Sequence, residues 1–157
     1  MPRFFKLALI QLIICFAFVG CNSKGCYENM NVRFVAGFYF VQSGSATRVS
    51  MDSVTVKGVG MDSMIYDNKT LSGMTLYLNP TATSTQFQIS VQDNGQIYTD
   101  TLTIHHNNHP SFESLECGYK VYYTLTSCSG LTTLADSVSI YNASVNNETK
   151  EHVKIYF

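Results

Sequence analysis

Short stretches in which apolar and polar residues alternate, each closed by turn-forming residues, recur along most of this chain and restrict its fold. Residues 85–92 (TQFQISVQ) alternate cleanly, and residues 93–95 (Asp-Asn-Gly) follow them directly. A period of two places successive side chains on opposite faces of a β-strand. No segment after Cys21 shows a convincing 3.6-residue period, so the chain is predicted to be all-β.

Eight strands are predicted, at short intervals with turn residues between them. They cover residues 32–41, 53–59, 74–78, 85–92, 96–105, 118–126, 136–142 and 152–157. Both faces of residues 32–41 are fairly apolar, which is typical of a central strand. This spacing favours a single antiparallel β-sandwich, Ig-like or jelly-roll-like, with a β-barrel as the alternative.

The strongest local signal is Asn94-Gly95, which predicts a two-residue hairpin loop. Such a loop sets the register of the flanking strands, with Val91 opposite Tyr98 and Phe87 opposite Leu102. The same register places Asp100 opposite Ile89, on the apolar face. Either a bulge turns Asp100 outward, or hydrogen bonds satisfy its carboxylate where it stands.

The N-terminus has the three parts of an exported protein's signal. Arg3 and Lys6 are basic, residues 7–19 are apolar apart from one glutamine, and Gly20 is the small residue before Cys21. This pattern predicts a lipoprotein signal peptide over residues 1–20 and lipidation of Cys21. An ordinary signal cut is one alternative. A transmembrane helix is the other, although the apolar run is shorter than the ~20 residues that a spanning helix needs.

The remaining chain is predicted to be a short tether over residues 21–30 and one domain over residues 31–157. Loss of the signal leaves eight basic and eleven acidic residues, a balance of −3 that gives no reason to expect nucleic-acid binding. We expect attachment to the membrane through the lipid, an envelope protein as partner, and no cofactor. No acidic residue follows Cys21 closely, which favours the periplasmic side of the outer membrane.

Three cysteines remain after Cys15 leaves with the signal and Cys21 takes the lipid. An exported compartment permits a disulfide. One strand over residues 118–126 would hold Cys117 and Cys128 about 36 Å apart, too far for a bond. We therefore expect Cys26 to pair with Cys117, with Cys26–Cys128 as the alternative.

Several segments in order resemble a family of uncharacterised Bacteroidota lipoproteins with a domain of unknown function. They are Cys21, Cys26, residues 52–68 (DSVTVKGVGMDSMIYDN), 76–80 (LYLNP), 100–102 (DTL), 116–118 (ECG), 122–125 (YYTL), 136–138 (DSV) and 153–157 (VKIYF). The resemblance implies an envelope lipoprotein with one β domain and no known activity. It also implies O-glycosylation at Asp-Ser/Thr-apolar tripeptides, with ordinary turn chemistry as the alternative. The candidate acceptors are Ser53, Ser63, Thr101 and Ser137.

Residues that could carry chemistry are few. His105 and His109 are weak candidates for a zinc or copper site, with Glu113 or Glu116 as an added ligand, and a polar strand end with an exposed loop is the alternative. No catalytic residue is predicted, because serine elbows and Ser-x-x-Lys pairs are missing. Cys128 is expected to be a leftover or buried thiol rather than a nucleophile.

The abundant tyrosines allow one further site. Tyr77, Tyr98 and Tyr122 could form an exposed face that stacks on sugar rings, although core packing also explains them. The function expected from the sequence is a non-enzymatic binding or assembly role in the envelope. A glycan- or small-ligand-binding module is the alternative, and a hydrolase is the least favoured.

Overall fold

The computed structural model describes Cys26, residues 30–146, Glu148 and residues 150–157. These residues form eleven strands in chain order. They are β1 (Arg33–Gln42), β2 (Ser45–Arg48), β3 (Met51–Gly58), β4 (Met64–Leu71), β5 (Gly73–Tyr77), β6 (Ser84–Asp93), β7 (Gln96–Ser114), β8 (Gly118–Gly130), β9 (Ser137–Ile140), β10 (Ser144–Val145) and β11 (Val153–Tyr156). No helix in this described part of the chain is long and apolar enough to cross a membrane.

The strands form two packed sheets, which confirms the predicted β-sandwich. The six-stranded sheet has the order β10-β8-β7-β6-β3-β4, and all of its pairs are antiparallel. In the five-stranded sheet, β1 pairs with β11 along one edge and with both β5 and β2 along the other. The β1–β11 pair is parallel, so the sandwich is antiparallel except at this one ladder.

The core lies between the sheets and follows the alternation of the strands. Phe34, Ala36 and Phe38 of β1 are buried, as are Val54 and Val56 of β3. Inward side chains of β6 and β7 complete it, namely Phe87, Ile89, Leu102 and Ile104. The central position predicted for the first strand is confirmed, because three strands pair with β1.

The β6–β7 hairpin has the predicted turn and register. Asn94 and Gly95 have φ angles of 49° and 80°, the left-handed pair that a two-residue hairpin loop requires. Val91 pairs with Tyr98 and Phe87 with Leu102, with no shift along the ladder.

Asp100 stands opposite Ile89, as predicted, and hydrogen bonds rather than a bulge accommodate it there. Its carboxylate accepts the backbone N–H groups of Thr133 and Thr101, each at 2.7 Å. The hydrogen bond from Thr133 lowers the pKa of Asp100, burial opposes it with a smaller effect, and the hydrogen bond from Thr101 lowers the pKa further. The carboxylate therefore ties the loop after β8 to the middle of β7.

The structure also departs from several predicted boundaries. β7 continues to Ser114 instead of ending at His105, and β8 continues to Gly130. β2, β4 and β10 were not predicted. The side chains of β2 and β4 are mostly exposed and so lack an apolar alternation, and β10 has only two residues. The signal segment, the lipidation site Cys21 and most of the tether lie outside the described residues.

Candidate functional site

One end of the sandwich carries the features that could bind a partner, and we call it the N-terminal end. β1 begins there, and Cys26 forms a disulfide with Cys117 in the turn between β7 and β8, with Cα atoms 4.9 Å apart. This is the pairing that the sequence favoured. The start of the domain is therefore bound covalently to a turn that lies 91 residues later.

The second half of the β7–β8 hairpin extends beyond β6, and we call residues 110–122 the hairpin arm. β6 begins opposite His105, so among the described strands the arm pairs only within itself. Pro110 lies in the arm, where its missing N–H costs nothing on the unpaired edge of β7. The β7–β8 ladder skips a residue at two places, between His105 and His106 before the arm and between Phe112 and Ser114 within it.

A buried hydrogen-bond network lies at the base of the arm, around His106. The Nδ1 atom of His106 is 2.7 Å from the Asn108 carbonyl oxygen, and Nε2 is 2.9 Å from the Thr85 hydroxyl. The amide nitrogen of Asn108 donates to the backbone carbonyls of Pro80 and Ala82. Asn108 Oδ1 must then be an acceptor, which assigns the Nδ1–H tautomer to His106 and lets Thr85 donate to Nε2.

Burial keeps His106 neutral. The side chain is 1% exposed, and burial lowers its pKa against a smaller opposing effect of the bond to Asn108. The Thr85 hydroxyl, which donates to Nε2, also accepts the N–H of Asn79 at 2.8 Å. His106 thus has a structural task, which is to hold the loop between β5 and β6.

The same loop is held from β8 by Tyr123. Its hydroxyl donates to the carbonyl of Leu78 at 3.1 Å, and its ring packs edge-to-face against His106 with centroids 5.2 Å apart. Burial raises the pKa of Tyr123, so the hydroxyl stays protonated and remains a donor. Two strands of the six-stranded sheet therefore fix residues 78–83 in place.

Residues 78–83 form one wall of an open groove of about 640 Å³. The β3–β4 loop and the start of β4 form the opposite wall. Four of the lining side chains are large, apolar and substantially exposed; they are Val59, Met61, Ile65 and Tyr77. A smaller groove of about 260 Å³ lies on the other side of the Tyr77–Pro80 segment, toward Tyr119 and Val121 of the arm.

The polar side chains in the larger groove already have partners within the protein. Asn79 accepts from the N–H and hydroxyl of Thr81, and Gln86 donates to Thr103. Thr85 belongs to the His106 network. No Asp, Glu, His, Lys or Arg occurs among the described residues that line either groove. The grooves therefore offer apolar surface whose described lining carries no carboxylate, imidazole or amine.

The histidine candidates for a metal site do not converge. His105 and His109 lie on the exposed face of β7, but four residues of strand separate their Cα atoms by about 13 Å. His109 contacts the Thr124 hydroxyl at 3.0 Å, and Glu113 accepts from Tyr122. Within the described residues no three His, Cys, Asp or Glu side chains form a metal-binding group. The expected exposed loop is also wrong, since these histidines belong to a continuous strand.

The three tyrosines proposed as a sugar-stacking face do not share a face. Tyr77 ends β5 in the five-stranded sheet, whereas Tyr98 and Tyr122 lie in the other sheet. Tyr122 pairs with His109, eleven residues along β7 from Tyr98, which separates the two by about 36 Å. Tyr77 borders both grooves at the N-terminal end, whereas Tyr98 borders a separate groove of about 420 Å³ beside Asp52 and Asp93.

Cys128 is half-buried against the core and forms no disulfide. Burial raises the pKa of its thiol, which keeps the reactive thiolate scarce. The four tripeptide candidates for O-glycosylation differ in access. Ser63 lies in an exposed loop and Ser137 begins an exposed edge strand, whereas Ser53 and Thr101 are half-buried within strands.

Two buried histidines that sequence reasoning missed have structural tasks. His106 is described above. His152 is fully buried between the sheets, where its Nδ1 accepts the N–H of Val35 at 3.0 Å and its Nε2 lacks a well-formed hydrogen bond. Burial lowers its pKa. The signal for His106 was its place in the alternation, on the face opposite His105.

The comparison with known families supports the resemblance in part. A family of unknown function, DUF6452, matches residues 53–157, which is more than half of the chain. This segment includes the loops of both grooves and the hairpin arm. Neither a curated protein nor a solved structure matches the chain significantly. The chain therefore belongs to the DUF6452 family of unknown function.

Proposed function

We propose that this protein is a lipid-anchored, non-enzymatic binding protein of the bacterial envelope, of the kind found in Bacteroidota. The apolar groove of about 640 Å³ carries the proposal. Its exposed Val59, Met61 and Ile65 are suited to an apolar segment of another envelope protein. The described lining holds no carboxylate, imidazole or amine, the groups that most often act as general acids and bases.

The predicted lipid anchor supports the proposed role in the envelope. The apolar segment before Gly20-Cys21 predicts lipidation, and stable attachment needs two or more acyl chains. The disulfide at Cys26 begins the domain five residues after Cys21, so the sandwich would stand close to the bilayer. The absence of acidic residues just after Cys21 favours the periplasmic face of the outer membrane.

Metabolic labelling with an alkyne-tagged fatty acid tests the anchor. The wild-type protein should carry the label and fractionate with membranes, and Cys21→Ala should lose both properties. Cys128→Ala is the matched control, because it removes a cysteine that forms no disulfide, and it should keep the label. An unlabelled wild-type chain would contradict the anchor.

Site-specific photo-crosslinking in native envelopes tests the groove. A crosslinking residue at Met61 should capture one recurrent protein, and the capture should weaken in the Cys21→Ala background. The same residue at Ile97, 69% exposed in the β6–β7 hairpin at the other end of the sandwich, is the control. Equal products from both positions would refute the groove as the binding site.

A small apolar ligand is the second candidate occupant, because 640 Å³ falls within the range of small-molecule sites. Mass spectrometry of protein purified from its host under native conditions would show a bound small molecule. Met61→Asp should release it by placing a charge in the apolar groove.

We also propose O-glycosylation, first at Ser63 and Ser137, since a modifying enzyme needs an exposed acceptor. The intact mass of protein from its native host should exceed the mass of protein made in a host without the pathway. Ser63→Ala or Ser137→Ala should reduce the excess, whereas Ser53→Ala should leave it unchanged. An unmodified native mass would exclude the modification.

A further inference from the structure

The tip of the hairpin arm exposes three large apolar side chains. Leu115 is 91% exposed, Tyr119 is 69% exposed and Phe112 is 54% exposed. Phe112 and Tyr119 pair across the arm with ring centroids 5.4 Å apart, and Leu115 lies in the turn just beyond them. Together they make an apolar tip, which we define as Phe112, Leu115 and Tyr119.

Such a tip is unusual on a surface that faces only water. A two-stranded ribbon is marginally stable in water, and its end would ordinarily carry polar turn residues. Here the turn carries Leu115, and the disulfide at Cys117 holds that turn against the start of the domain. The arm is therefore a fixed projection with an apolar end.

The chain preceding Cys26 decides what the tip can reach. Cys26 lies five residue steps after Cys21, and a fully extended tether of this length spans about 17 Å. The disulfide then places Cys117 within 4.9 Å of Cys26, measured between Cα atoms, and Leu115 is two residues away. The tip must therefore stay within about 30 Å of the lipidated residue in any conformation of the tether.

We propose that the apolar tip contacts the bilayer that holds the lipid anchor, with Leu115 entering the interfacial region and the two aromatic rings lying beside the headgroups. Tyrosine favours this region, because its ring meets acyl chains while its hydroxyl meets water, and Phe112 adds apolar surface beside it. The inference rests on the proposed lipid anchor and deepens it: the sandwich would stand with its N-terminal end toward the membrane, instead of swinging freely on the tether.

The charges beside the tip indicate the kind of surface that suits it. Glu113 and Glu116 flank Leu115 and are exposed. Their carboxylates would be repelled by a strongly anionic leaflet, so zwitterionic headgroups are the better match. Phosphatidylcholine vesicles are therefore the appropriate test surface.

The absence of tryptophan from the chain allows a direct experiment. The full-length lipoprotein with Leu115→Trp is reconstituted into phosphatidylcholine vesicles with or without lipids brominated on their acyl chains. We expect a blue-shifted emission and a loss of roughly half of it to the brominated lipid, because tryptophan at this depth lies near the acyl chains. Ile97→Trp in the opposite hairpin is the matched control, and its emission should remain solvent-like and unquenched.

The outcomes separate this inference from the anchor on which it rests. Lipidation is read from the intact mass of each variant. A lipidated, vesicle-bound Leu115→Trp protein with unquenched emission would overturn the tip contact and leave the anchor standing. Equal quenching of both reporters would also overturn it, because the domain would then have no fixed orientation. A chain without lipid would overturn both. Tyr119→Trp is a second reporter and should be quenched as well.

Discussion

The β6–β7 and β7–β8 hairpins share strand β7 but differ in what holds their ends together. In the first, Asn94 and Gly95 adopt the left-handed turn by themselves, and ten residue pairs follow without a shift. In the second, the outer pairs stand beyond the neighbouring strand, the ladder is interrupted twice, and a disulfide ties the turn to the start of the domain. The turn residues alone hold a hairpin together where both of its strands lie inside a sheet. A ribbon that projects beyond its sheet relies on long-range ties.

Removal of the disulfide tests this difference most strongly. We expect Cys26→Ser with Cys117→Ser to lower the free energy of unfolding by about 2–4 kcal/mol, since the bond closes a long loop in the unfolded chain. Urea unfolding of the domain measures the loss, and Cys128→Ala should cost about 1 kcal/mol or less.

Hydrogen exchange on the same variants locates the loss. Amides of the hairpin arm should exchange faster once the disulfide is gone, whereas those beside Asn94 should keep their local protection. Equal acceleration in both hairpins would show that the two are one cooperative unit and would remove the contrast between them.

Asn108→Ala tests the tie at the base of the arm. The substitution removes the hydrogen bonds from Asn108 to His106 Nδ1 and to the carbonyls of Pro80 and Ala82, so we expect a loss of about 1–3 kcal/mol in the same urea assay. Asn107→Ala is the matched control on the exposed face of β7 and should stay within about 0.5 kcal/mol of wild type. Similar values for both would mean that the network does not hold the loop.

Acid should weaken the base of the arm. Burial lowers the pKa of both His106 and His152 below the ordinary histidine value, so the unfolded state binds more protons than the folded state. Their contribution is complete above about pH 6.5 and is lost as the pH falls toward the folded pKa values.

Urea unfolding at several pH values between neutrality and pH 5 measures this dependence. His106→Gln should flatten the decline, and His105→Gln, on the exposed face, should leave it intact. A stability that is constant across this range, or one that rises with acid, would contradict the neutral state of the two buried rings.

Glycine substitutions compare the two turns directly. Gly95 and Gly118 have φ angles of 80° and 74°, and a Cβ atom at either would meet nothing within 4 Å. Only backbone strain remains, so Gly95→Ala and Gly118→Ala should each cost about 1 kcal/mol. Thermal unfolding measures both. A much smaller cost at Gly118 would show that the arm adapts its turn despite the disulfide.

Leu115→Ser should have the smallest effect of all. The side chain is 91% exposed, so the folded domain loses almost no packing, and its free energy of unfolding should change by less than about 0.5 kcal/mol. A larger loss in urea would mean that Leu115 supports the fold, and the tip would then need no bilayer to explain it.

The parts of the fold that followed from sequence are those set by short-range rules. Alternation located the central β1 and the β6–β7 pair, and Asn94-Gly95 set their register to the residue. The exposed strands β2 and β4 were not predicted, because exposure of both faces to solvent removes the alternation of apolar and polar residues. The end of β7 was not predicted, because residues 105–110 are polar and include a proline. Only the pairing with β8 makes this segment a strand.

The candidate site was less predictable than the fold. The groove is built by two loops that are distant in sequence, and its wall depends on a histidine whose partners lie in β6 and in the β5–β6 loop. The prediction of a sugar-stacking face of tyrosines was wrong for the same reason, because the sequence does not show which sheet holds each tyrosine. Contacts between distant segments do not leave a periodic pattern.

The sequence by itself determined the fold class and the β6–β7 turn and favoured Cys26–Cys117 over Cys26–Cys128, because alternation, turn chemistry and strand length act over a few residues. It also carries the prediction that Cys21 is lipidated. Only the tertiary structure decided that His106 is buried and neutral, that an apolar groove lies at the N-terminal end, and that Leu115 is exposed in the turn bound to Cys26. Those features depend on which distant strands pack together, and packing is set by the whole core.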